Sequence, residues 1–182
     1  APQDPEMHYQ LGLALSDDGQ AADAAKALDR AVKLRPDWTD ARLAWAHALE
    51  MSGQAESART ELDRAVRMDP EEPRAFLARA QCHYRAKRYT FALEDAQETV
   101  RLAREDGLAQ LWLGVCYHGA GKPAEAQAAF HEALARPTAE RPLFVFLDAL
   151  DQLAPGNGAL EGHWLPGSLN PHVRRSWTPA RS

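Results

Sequence analysis

The segment LGLALSDDGQAADAAKALDRAVKLRP recurs in outline as WAHALEMSGQAESARTELDRAVRMDP, again as RAQCHYRAKRYTFALEDAQETVRLAR, and once more as LGVCYHGAGKPAEAQAAFHEALARPT. Gly12, Ala46, Ala80 and Gly114 stand 34 residues apart, as do Ala24, Ala58, Ala92 and Ala126. The same step links Leu28, Leu62, Ala96 and Phe130, and it links Gly19, Gly53, Lys87 and Gly121. A repeat of this length is one supersecondary unit. A single unit cannot bury its own apolar face, so copies must stack into a one-dimensional array.

Each unit holds two apolar patterns of helical period, separated by a short turn that contains glycine in three of the four copies. Alanine is frequent and β-branched residues are scarce, and alanine loses no side-chain entropy in a helix. The small residue of the first helix lets a neighbour approach closely, and the Ala-x3-Leu/Phe of the second helix fills the gap. The expected fold is therefore all-α, built from antiparallel helix hairpins.

These residues resemble the tetratricopeptide repeat family. The first unit matches through Leu11, Gly12, Leu15, Ala24, Leu28, Ala31 and Pro36, and the fourth through Leu113, Gly114, Tyr117, Gly121, Ala126, Phe130 and Ala133. The second departs at Arg42, in a slot usually aromatic, and at Trp45, where Leu is usual. The third keeps Phe76, Tyr89 and Ala92 but lacks the turn glycine and the closing proline. The resemblance spans about residues 5–140 and implies a right-handed superhelical solenoid.

Four repeats at 5–38, 39–72, 73–106 and 107–140 follow. Residues 141–154, with Leu143, Phe146, Leu147, Leu150 and Leu153 on one face, read as a capping helix. Residues 155–182 carry four prolines and four glycines, yet also Trp164 and Trp177. This tail is expected to be extended, with part of it docked back on the solenoid. Pro2 lies 34 residues before Pro36, so residues 1–4 align with the closing turn of a repeat. The expectation is a chain that starts within an array, whose first hairpin exposes an apolar face.

The chemistry of catalysis is missing from the sequence. It has no G-x-S-x-G, no H-E-x-x-H, no phosphate-binding loop and no G-x-G-x-x-G opening a strand–helix unit. Cys82-His83 and Cys116-x-His118 do not make a convincing metal site, because four ligands would have to converge from different helix faces. Equivalent positions in stacked helices lie about 8–10 Å apart, and a disulfide needs Cα atoms within about 7 Å. Both cysteines therefore read as buried thiols, and no metal or cofactor is expected. The net charge of −5 argues against general nucleic-acid binding, and no apolar run reaches the roughly 18 residues that would cross a membrane. The compartment stays open: two thiols lean towards a reducing cytosol, and Ala1 towards an export product.

In the resembled family, first helices of successive hairpins line a concave groove that holds a peptide or partner segment. By helical position the corresponding residues here are Glu6, Tyr9, Leu13 and Asp17 in the first unit, then Asp40, Leu43, His47 and Glu50. The third unit offers Arg74, Leu77, Gln81, Tyr84 and Arg85, and the fourth Leu108, Leu111, Val115 and His118. Some of these leucines are equally explained as solenoid core. The groove reads as apolar, acidic in its N-terminal half and basic at Arg74 and Arg85. A subset of the family grips chaperone C-termini through a Lys, Asn and Arg clamp. The matching positions here are Tyr9, Leu13, Arg74 and Ala78, and only Arg74 fits, so that clamp is not expected. The leading reading is a non-catalytic module that holds a protein or peptide segment, with the chain's own tail as one candidate occupant. The alternative is a structural spacer that positions other domains of a larger protein.

Overall fold

The computed structural model describes residues 4–135, which form eight helices: α1 (Pro5–Asp17), α2 (Ala21–Leu34), α3 (Thr39–Met51), α4 (Ala55–Met68), α5 (Pro73–Arg85), α6 (Tyr89–Leu102), α7 (Gly107–Gly119) and α8 (Pro123–Ala135). The expected capping helix at 141–154 and the tail at 155–182 lie outside the described residues. Proline opens α1 and α5, where its missing N–H costs nothing. Carboxylates of Asp4, Glu72 and Asp106 accept from the N–H groups of Glu6, Arg74 and Leu108, which caps three of the four first helices.

One turn joins the helices of every hairpin. In the first, the Gly19 N–H donates to the Ser16 carbonyl at 3.0 Å and the Gln20 N–H to the Leu15 carbonyl at 2.8 Å. This paired closure, a Schellman motif, needs a left-handed residue just past the helix end. Gly19, Gly53 and Gly121 supply it at φ of 75°, 81° and 73°. In the third hairpin Lys87 takes the same conformation at φ 57°, and the closing bond from the Arg88 N–H to the His83 carbonyl still forms at 2.9 Å. The turn after α6 lacks the closing proline and keeps the bond its counterparts make. After α6 the Asp106 N–H bonds the Ala103 carbonyl at 3.0 Å and the Asp106 carboxylate caps α7.

The core is built on the 34-residue step. A Cβ added at Gly12 would stand 2.4 Å from Leu28 Cγ, and one at Gly114 would stand 2.4 Å from Phe130. A side chain at either position would force the facing residue to move, although hairpin 2 accommodates Ala46 opposite Leu62. Where the first helix carries alanine, Ala46 shares a cluster with Leu62, and Ala80 shares one with Ala96. Leu28 and Leu62 are essentially fully buried, which stabilises the fold by about 1.5–3 kcal/mol each.

Each second helix packs on the next first helix, α2 on α3, α4 on α5 and α6 on α7. First helices also touch one another across hairpins, in the pairs α1–α3, α3–α5 and α5–α7, and the described second helices make no comparable contact. First helices are therefore crowded on one side, which becomes the inner face of the array. The result is an all-α solenoid of antiparallel hairpins.

Arg42, in the slot usually aromatic, is buried and paired to Glu61 across hairpin 2. Its other terminal nitrogen donates to the Pro36 carbonyl at 2.8 Å, and Glu61 also accepts from Arg64 at 2.6 Å. A buried guanidinium is tolerated only when paired and hydrogen-bonded; both terminal nitrogens meet this condition, while Nε is buried without a hydrogen-bond partner.

Candidate protein-binding face

The positions that the sequence assigns to a groove all lie on α1, α3, α5 and α7. Asp17, His47, Arg74, Arg85, Leu108 and His118 are exposed, as is Glu6; Tyr9, Leu13, Asp40, Leu43, Glu50, Leu77, Gln81 and Tyr84 are half-buried. Leu111 and Val115 are a correction: at 2 % and 3 % exposure they present no surface and belong to the core. Their register mates Leu43, Leu77, His47 and Gln81 all keep solvent contact. A 34-residue step specifies direction, and the packing at each repeat decides depth.

The acidic positions lie on α1 and α3 and the basic ones on α5, and where α3 meets α5 they pair. Arg74 meets Asp40 at 2.8 Å, and Arg85 meets Glu50 at 2.5 Å. The hydrogen bond to Glu72, and Asp40 alongside, raise the affinity of Arg74 for its proton further. Two ionic rungs therefore bracket the stretch of α5 that carries Leu77 and Gln81. Both are partly exposed, so they orient side chains more than they add stability.

Aromatic rings occupy both ends of this face. Tyr9 packs on Trp38 with ring centroids 4.5 Å apart. Burial first, then Asp40 and Glu6, push its hydroxyl pKa above the ordinary value. Tyr84 contacts Tyr89 at 5.3 Å and Trp112 at 6.2 Å, both edge-on. Burial pushes the Tyr84 hydroxyl up to about 12, so it stays a neutral hydrogen-bonding group. Two residues on this side were missed from sequence. Trp112 is half-buried on α7, and Met51, one period before Arg85, is 67 % exposed. Stepping back 34 from Arg85 would have found Met51; the contact from Trp112 to Tyr84 runs from one hairpin to the next and left no such signal.

Reactive chemistry is suppressed. Both cysteines are free and buried. Burial, and then Glu50, push the Cys82 thiol up to about 12; burial and Asp95 do the same to Cys116. Neither forms a useful thiolate near neutral pH. Among the described residues no group of histidine, cysteine or carboxylate side chains is placed to hold a metal ion. A depression of about 290 Å³ lies between α4, α5 and α6. Its central charges are paired: Arg79 makes a two-point contact with Asp95 at 2.7 and 2.9 Å and reaches Asp63 at 3.1 Å. No described helix is long and apolar enough to cross a membrane.

Stacked hairpins that share one inner face define a helical-repeat interaction protein. Tetratricopeptide repeat families match residues 15–82 and 91–142, and the chain belongs to the tetratricopeptide repeat family. A search of curated proteins finds no match. Among solved structures the chain is similar to residues 41 to the end of MamA from Desulfovibrio magneticus RS-1, at 25 % identity and TM-score 0.65, covering 73 % of this chain and 75 % of that one. It is similar to TTC0263, a thermophilic repeat protein of Thermus thermophilus, at 22 % identity and TM-score 0.70, covering 82 % of each chain. It also resembles a chain of the APC/C hetero-tetramer Cut9-Hcn1, at 18 % identity and TM-score 0.73, with 84 % of this chain spanning 30 % of that one. These likenesses place the fold, and the family makes the chain a protein–protein interaction module in general terms.

Proposed function

We propose that the inner face binds a peptide or helix of a partner protein, with Leu43 and Leu77 as apolar anchors and the Asp40–Arg74 and Glu50–Arg85 rungs as polar edges. The observation that carries this reading is the partial exposure of Leu43 and Leu77, one period apart on adjacent first helices. Leucine that is neither core nor fully solvated fits a surface awaiting a partner. Neighbouring first helices are roughly 8–10 Å apart. That spacing suits apolar residues at every third position of a polyproline II-like segment, or two turns apart on a helix. Tyr9, Leu13 and Tyr84 extend the surface at either end, with His47, Gln81, Leu108 and His118 along it and Asp17 at its margin.

A display library of random peptides panned on the immobilised chain tests the reading. Peptides selected on the wild type should share spaced apolar residues and lose binding at least about tenfold to Leu77→Glu, with the circular dichroism of the variant unchanged. Selected peptides that bind Leu77→Glu and Tyr84→Glu as well as wild type would exclude this face. The spacer reading draws on the same rungs, since they already satisfy four inner-face charges inside the array. A spacer would tolerate both substitutions and lose function when a repeat is deleted.

A further inference from the structure

Hairpin 3 departs from the other hairpins at the turn that joins α5 to α6 and in the first turn of α6. Lys87 holds a left-handed backbone at φ 57°, where Gly19, Gly53 and Gly121 stand in the other copies. Phe91 is 54 % exposed, in a slot that holds Asp23, Ser57 and Glu125 elsewhere. A side chain in a conformation that favours glycine, and a large ring in a solvated slot, both work against stability. Local rules broken without a gain in packing mark a surface that serves something other than the fold.

These residues line a depression of about 350 Å³ together with Arg88, Tyr89, Gly119 and Ala120. Gly119 is in register with Asp17, Met51 and Arg85. A Cβ there would stand 2.6 Å from the Tyr89 ring, so the missing side chain is what lets Tyr89 lie against α7. The volume is at the small end for ligand pockets and suits side chains of a peptide better than a large free ligand.

Charge gives the depression a preference. Lys87 and Arg88 line it, and none of its lining residues is acidic. Lys87 has no ion-pair partner among the described residues. Arg88 reaches Glu56 at 3.0 Å, but Arg59 shares that carboxylate. The first turns of α2, α4 and α8 carry Asp23, Glu56 and Glu125, and that of α6 carries no acidic residue. The second depression that Arg88 and Phe91 line is balanced, because Asp63, Glu94 and Asp95 offset its arginines.

We infer that the depression between the turn of hairpin 3 and the end of α7 docks an acidic peptide segment of a partner protein. An apolar side chain of that segment rests against Phe91 and Tyr89, and its flanking carboxylates meet Lys87 and Arg88. The site uses none of the leucine anchors or ionic rungs of the inner face.

NMR titration of the isotope-labelled full chain tests the inference. The probe is a short peptide with one leucine flanked on each side by two aspartates, and the control carries asparagine in place of each aspartate. The aspartate peptide should shift the amides of residues 87–91 and 119–120 saturably, and added salt should weaken it. The asparagine peptide should bind at least about tenfold more weakly, having lost its charge-assisted contacts. Lys87→Gly and Phe91→Ser install residues that other repeats carry at these positions, so both variants should keep the circular dichroism of the wild type. Each should weaken the aspartate peptide at least about fivefold. Leu77→Glu should leave this binding unchanged, which separates the site from the inner face. The inference is overturned if the aspartate peptide gives no saturable shift or shifts only other residues. Equal affinity for the two peptides, or unchanged affinity in both turn variants, overturns it as well.

Discussion

At the scale of single residues, the four hairpin turns form a natural comparison. Three use glycine in the left-handed region and the third uses Lys87 at φ 57°. A residue with a side chain costs about 1–2 kcal/mol there, and glycine offsets part of the difference by its greater freedom in the unfolded chain. Lys87→Gly should therefore stabilise the protein by up to about 1 kcal/mol, and Gly53→Lys should destabilise it by a similar amount. Urea midpoints of the two variants check this, and a loss of stability in Lys87→Gly would mean that the lysine side chain has a role the turn does not reveal. The turn glycines were legible in sequence because backbone conformation constrains the residue directly. Leu111 was among the leucines the sequence left open as core and Val115 was not, because their register mates stay open and only packing at the fourth repeat distinguishes them.

Within an element, hairpin 2 holds together differently from its neighbours. The sequence marked Arg42 as out of place but gave no sign of its partner, 19 residues away on the facing helix. The clue was Glu61, in a slot that holds Ala27 in the first repeat and Ala129 in the fourth. Both groups are over nine-tenths buried, so removing Glu61 leaves Arg42 charged without a counterpart, whereas Glu61 has Arg64 as a second cation. Glu61→Ala should cost about 3–5 kcal/mol. The double change Arg42→Phe, Glu61→Ala restores the family's aromatic and its usual small partner. It should cost far less than Glu61→Ala alone, or even stabilise, because neither desolvated charge remains. Thermal unfolding of the single and double variants decides the matter; equal destabilisation would mean that the pair acts through packing and not through charge. The period made the helices and their pairing plain, yet the rungs Asp40–Arg74 and Glu50–Arg85 escaped notice. A repeat alignment brings such residues side by side, but only the approach of α3 to α5 turns adjacency into contact.

Over the whole array, the apolar core is uneven. One cluster joins hairpins 1 and 2, with Cys82 and Ala78 reaching in from α5, and another joins hairpins 3 and 4. At the outer part of the junction between them the register turns polar. Arg79 replaces Leu11, Trp45 and Leu113, and His83 replaces Leu15, Leu49 and Tyr117. Arg79 is anchored by Asp63 on α4 and Asp95 on α6. His83 is less well served: Nδ1 is buried without a hydrogen-bond partner, and Nε2 stands 3.9 Å from Asp95, with Phe91 packed beside the ring. Burial above all, then Arg79 and Arg88, hold its pKa below the ordinary 6.5, against the opposing pull of Asp95 and Asp63. The unfolded chain therefore takes up this proton at a higher pH than the folded one. The native imidazole is fully compatible with folding above pH 6.5, and stability declines as pH falls from there towards the folded value. His83→Leu removes both the unpartnered nitrogen and the proton linkage. It should stabilise the protein by about 1 kcal/mol at neutral pH, the usual cost of a buried polar atom left unbonded. The advantage should widen on acidification, because only the wild type has this proton to bind. Urea unfolding of both proteins at about pH 7.5 and about pH 5.0 measures the change, and an advantage that stays constant between them would show that His83 is already accommodated in its charged form. Stability in a solenoid is a sum of repeat and interface terms. A polar junction in the middle is thus where the array should part first, and hydrogen exchange of α4 and α5 amides should slow in His83→Leu more than that of α1 and α2.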